Sequence, residues 1–106
     1  MAEGDMIKHV VMWRFKEEKR EENMKKAREM LLALPPVISE IKKMKVYFDI
    51  THSEMSADMM LDTEFLTVED MKAYAVHPEH VKVSNFVRSV IESRVVLDSE
   101  IEEDER

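Results

Sequence analysis

Apolar and polar positions alternate along Ile7 to Phe15 in the manner of a strand that is largely apolar on both sides. Ile7, His9, Val11 and Trp13 fall on one face, and Lys8, Val10, Met12 and Arg14 on the other, because successive side chains of a strand point in opposite directions. Such a strand requires cover on both faces. Helices of the same chain can supply one cover; the other implies a second copy, a homodimer meeting through the sheet face. Lys16 to Leu34 is predicted to be a helix whose stripe, Met24, Ala27, Leu31 and Leu34, is widened by Met30 and ended by Pro35-Pro36. A second strand is predicted over Ile38 to Ile50. Met44, Val46, Phe48 and Ile50 share a face there, while Ile41 is out of phase and suggests a bulge or bend near Lys42-Lys43.

The polar connection from Thr51 to Ser56 reads as a hairpin loop, with His52 solvated in it. Ala57 to Leu66 follows as a third strand, with Ala57, Met59, Leu61, Thr63 and Phe65 on its apolar face. Asp62 and Glu64 on the opposite face are expected to be solvated or paired with Lys or Arg rather than to form an acid–base couple. Thr67 can cap a helix whose first turn carries Glu69 and Asp70. That helix should stop by His77, and Pro78 suits the first position of a new helical segment with Val83, Phe86, Val87 and Val90 inside. Arg94 to Asp98 is the last strand, centred on Val95, Val96 and Leu97. The order β-α-β-β-α-β predicts an α+β, ferredoxin-like unit: an antiparallel sheet with both helices on one face.

Composition narrows the function. A chain of 106 residues holds one core, assigned here to residues 6–99. Residues 1–5 are expected to be a leader outside the fold, and residues 100–106 a disordered acidic tail. The net charge of −7 argues against a nucleic-acid partner, which selects for a basic face; Lys42, Lys43 and Lys45 form the only short basic cluster on a predicted strand. No apolar run approaches the ~20 residues of a membrane helix, so no membrane partner is expected and a cytoplasmic location is. The absence of cysteine removes disulfides, thiolate metal sites and a cysteine nucleophile. A single glycine leaves no phosphate-binding loop, and no cofactor is expected.

Candidate chemistry lies in Ala73-Tyr74-Ala75-Val76-His77-Pro78-Glu79-His80. An imidazole exchanges protons near neutral pH, and a phenol can donate to a developing oxyanion. Together they suit proton abstraction beside a carbonyl. Each residue also has a structural reading: Tyr74 bonded to a backbone group, His77 capping the broken helix, His80 and His9 as satisfied core histidines. His77 and His80 stand at i, i+3, but the break at Pro78 and the lack of a well-spaced carboxylate argue against a metal.

Four stretches are similar to the stress-responsive dimeric α/β-barrel (Dabb) family: Ile7-Lys8-His9-Val10-Val11, Leu34-Pro35-Pro36-Val37, Tyr74 through His80, and Arg94-Val95-Val96-Leu97-Asp98. The chain departs from the family's pattern at Lys43-Met44-Lys45, where a glycine is usual. The resemblance implies two ferredoxin-like units packed sheet against sheet. It extends to a plant polyketide cyclase of the family, olivetolic acid cyclase. That implies His80 as base and Tyr74 as donor, with His9, Leu61, Phe65 and His77 around a mostly apolar pocket for an unidentified small molecule of carbonyl type. Two other functions stay open at this level: a non-catalytic stress or scaffold dimer, and a cofactor-free monooxygenase.

Overall fold

A computed structural model describes residues 6–102; the expected leader at 1–5 and the last four residues of the expected tail lie outside them. The elements run β1 (Met6–Phe15), α1 (Arg20–Leu32), β2 (Lys43–Phe48), β3 (Met59–Phe65), α2 (Val68–Val76), α3 (Pro78–Val90) and β4 (Ile91–Ile101). The four strands form one antiparallel sheet in the order β2-β3-β1-β4. This is the ferredoxin-like arrangement, with the second helical region split in two.

The core lies between the helices and one face of the sheet. Ile7, Val11, Trp13 and Phe15 of β1 are buried there with Met59, Leu61, Thr63 and Phe65 of β3, under Ala27 and Leu31 of α1 and Val83 and Val87 of α3. The alternation in β1 and β3 therefore sorts side chains as the pattern predicted. Asp62 and Glu64 sit on the other face, where Lys8 Nζ reaches them at 3.0 and 3.3 Å and Lys43 Nζ reaches Glu64 at 3.4 Å. They are paired with lysines, as expected of them.

The helix break has a local cause. Thr67 caps α2 by accepting from the Asp70 N–H at 3.0 Å. His77, extended at φ −63° and ψ 134°, ends that helix. Its Nδ1 then accepts from the Glu79 N–H at 3.1 Å to start α3, with Pro78 as the first helical residue.

Several boundaries differ from expectation. The predicted start of the first helix, Lys16 to Lys19, is a turn, and Lys19 takes a left-handed φ of 51°. The second strand begins at Lys43: Ile38 and Ile41 flank the turn before it and are buried from there, so the phase slip marks a bend at Lys42 ahead of the strand and not a bulge within it. The last strand is longer than predicted. β1 offers a long edge, and β4 pairs along it from Ile91 opposite Phe15 to Ile101 opposite Met6. Glu100 and Ile101, assigned to the acidic tail, are thus strand residues. Their local composition reads as disorder, but the open edge of β1 satisfies their backbone groups.

The second face of the sheet has no cover among the described residues. Met12, Tyr47, Val95 and Leu97 are exposed on it, so Val95 and Leu97, read from sequence as the centre of a strand core, lie open in the single chain. Among the described residues no helix is long and apolar enough to cross a membrane.

Candidate active site

A cavity of about 200 Å³ opens between the helix-side face of the sheet and α2–α3. Six elements converge on it. β1 places His9 in the same row as Val11 and Trp13, and β3 supplies Leu61 beside it. Tyr74 comes from the last turn of α2 and His80 from the first turn of α3. The turn at His77-Pro78 folds the chain so that the Tyr74 and His80 ring centroids stand 4.2 Å apart. Phe65 lies 5.1 Å from Tyr74, and His9 lies 6.2 Å from it.

Each imidazole is held by a different partner. His9 Nδ1 meets the Asp98 carboxylate at 2.5 Å, across the β1–β4 register that sets His9 opposite Asp98. The His9 backbone carbonyl accepts from the Thr63 hydroxyl at 2.8 Å, which anchors that strand position. His80 Nδ1 donates to the Ala75 carbonyl at 3.0 Å. A carbonyl only accepts, so the proton of the neutral ring sits on Nδ1 and Nε2 keeps its lone pair.

The electrostatics favour the neutral forms. Burial lowers the His80 pKa below 6.5, the Ala75 carbonyl opposes that shift, and the charges of His9, Arg94 and Arg88 reinforce it. Burial pushes the Tyr74 phenol well above its ordinary 10.0, with Arg94 acting in the opposite direction. The Tyr74 hydroxyl is buried and has no hydrogen-bond partner among the described residues. At neutral pH the pair is a free base beside a proton donor.

The lowered His80 pKa makes the stability of the fold depend on pH. The unfolded chain takes up a proton at this residue near pH 6.5, whereas the folded one does so only at lower pH. Stability therefore falls as pH drops below 6.5, and above that pH the loss is absent. A ring-proton titration by NMR is expected to give His80 a midpoint below 6.5; a midpoint at or above 6.5 contradicts the burial argument.

Of the residues predicted for the site, His9, Leu61, Tyr74 and His80 line the cavity. Two are placed elsewhere. His77 spends its ring on the α3 cap and is absent from the cavity wall. Phe65 is fully buried behind Tyr74 and supports that ring from outside the cavity. Sequence reasoning passed over Arg94 and Asp98, which face the cavity from β4, and Lys72 and Arg88 at its rim. A signal for the first two existed: Arg94, Val96 and Asp98 share one face of the strand. Which face that is follows only from the pairing with β1. Among the described residues no group of three or more histidines or carboxylates gathers in metal-binding geometry.

Comparison with known proteins agrees with this architecture. The family model of the stress responsive A/B barrel domain matches residues 7–101. A dimeric ferredoxin-like protein of unknown function from Bacteroides fragilis is 33% identical, with a TM-score of 0.84 over 91% of this chain and 96% of its own. A hydroxynitrile lyase from Passiflora edulis shares the fold with a TM-score of 0.84 at 18% identity, covering 94% of this chain and 96% of its own. A Dabb family protein from Mesorhizobium loti matches with a TM-score of 0.68 at 19% identity, covering 90% of this chain and 95% of its own. No curated protein matches the sequence.

Proposed function

The chain belongs to the stress responsive A/B barrel domain family, and from that premise we propose that it is a homodimer that binds a small carbonyl compound and moves a proton on it without a cofactor. The observation that carries this reading is the Tyr74 hydroxyl. A structural tyrosine buried to this degree ordinarily bonds a backbone group. This one has no partner among the described residues, and its ring packs beside an imidazole kept neutral. In the proposed step His80 Nε2 takes a proton from the carbon next to the carbonyl. The C–H electrons form the enolate double bond, and the oxygen accepts a hydrogen bond from the Tyr74 hydroxyl. That a fold neighbour from Passiflora edulis is a lyase is in keeping with this class of chemistry and does not assign it. The dimeric neighbour and the uncovered apolar sheet face support pairing through that face. A cytoplasmic location accompanies this proposal as an expectation.

The direct test is exchange of carbon-bound hydrogen for deuterium, followed by NMR in D₂O with methyl 4-oxo-4-phenylbutanoate as probe. Wild type is expected to accelerate exchange next to the ketone by about 10²–10⁴. His80→Ala and Tyr74→Phe should each remove most of that gain while keeping the fold. Exchange at the buffer rate in wild type, with no thermal stabilisation by the probe, contradicts the reading and favours a non-catalytic dimer.

A further inference from the structure

We infer that the ligand of this cavity carries an anionic group, a carboxylate, at one end of an apolar body; the inference rests on the proposed function and specifies its substrate class. Lys72, Arg88 and Arg94 all border the cavity, in a protein whose net charge is −7. Among the described residues the one acid lining the cavity is Asp98, and its carboxylate is engaged by His9 at 2.5 Å. Among the described residues none of the three cations forms an ion pair, although lysines and arginines elsewhere do so. They come from three separate elements, α2, α3 and β4, so their convergence is a product of the fold and not of a run in the sequence.

The rest of the wall sets the remainder of the ligand. Trp13, Leu31, Leu61, Val83 and Val87 are apolar and buried. A ligand complementary to this surface places its hydrocarbon against them and its charge at the arginines, whose forked guanidinium groups suit a carboxylate. Arg94 is near enough to bias the protonation of both Tyr74 and His80. Bound there, the carboxylate would hold the carbonyl within reach of the reacting pair, and the same positive charge would steady the enolate.

The test uses two matched pairs of probes: 4-oxo-4-phenylbutanoate and its methyl ester, and 4-oxooctanoate and its methyl ester. Binding is measured by calorimetry at low and high sodium chloride. Each acid is expected to bind wild type at least about tenfold tighter than its ester, and the advantage should shrink as salt rises. Arg94→Gln is expected to bring the acid to the affinity of the ester and to leave the ester's affinity within about twofold. Esters that bind as tightly as the acids overturn this inference while leaving a small-molecule pocket in place. If neither acid nor ester of either pair binds, the inference and the proposed function both fail. Loss of ester binding together with acid binding in Arg94→Gln overturns the inference as well, since it assigns Arg94 to the shape of the pocket and not to its charge.

Discussion

A carboxylate placed at position 95, as Val95→Asp, is expected to split the protein into single chains that remain folded. Val95 is 68% exposed in the single chain, so the substitution removes little packing there and changes monomer stability by less than about 1 kcal/mol. Its neighbour across the register is Met12, which in turn faces Met60; with Leu97 and Tyr47 these form an apolar surface around the central strands. When two copies close this face, symmetry buries the new charge twice, without a partner. An uncompensated buried charge costs about 3–5 kcal/mol, enough to weaken association by more than about 100-fold. Light scattering at micromolar concentration should therefore give twice the chain mass of 12.5 kDa for wild type and the chain mass itself for the variant. Circular dichroism should report the same secondary structure for both. A variant that stays dimeric would place the interface on another surface, and a monomeric wild type would remove the sheet-to-sheet arrangement altogether.

The second large effect is a contrast between two rings 5.1 Å apart, Phe65 and Tyr74. Phe65 is fully buried and fills the space behind the cavity. Phe65→Ala is expected to cost about 3–5 kcal/mol, a large share of the ~5–15 kcal/mol that holds a domain together. For a domain of this size that lowers Tm by more than about 10 °C. Tyr74→Phe keeps the ring and removes only a hydroxyl that no described residue satisfies. Because an unpaired buried polar group is a cost to the fold, Tm should hold or rise. The two melting curves separate a residue that builds the domain from one retained at the expense of stability. A clear drop for Tyr74→Phe would show that its hydroxyl satisfies a group within the protein, and would return Tyr74 to a structural role.

These contrasts also show where sequence reading succeeds. The alternation in β1 and β3 is strictly local, and burial on one face follows from it directly, which is why Leu61, Thr63 and Phe65 emerged on the core side. The break at His77-Pro78 was equally legible, because proline constrains its own φ and its predecessor. The β4 strand was not. Ser99, Glu100 and Ile101 carry little local signal for a strand. They become one because β1 presents unpaired backbone groups opposite them.

The site divides along the same line. The Tyr74–His80 relation depends on a few residues of chain and a proline, so its elements stand together in the sequence. His9 and Asp98 are 89 positions apart, and their meeting depends on register, which no local pattern encodes. The three cations around the cavity are likewise scattered over α2, α3 and β4. The sequence by itself determined the strand and helix types, the apolar faces, the need for a second cover on the sheet and the break that carries Tyr74 and His80. Only the tertiary structure decided that Asp98 engages His9, that His77 is a cap, that Phe65 stands behind the cavity, and that its rim is cationic. Periodicity is a property of neighbouring residues, whereas register and convergence are properties of elements brought together by folding.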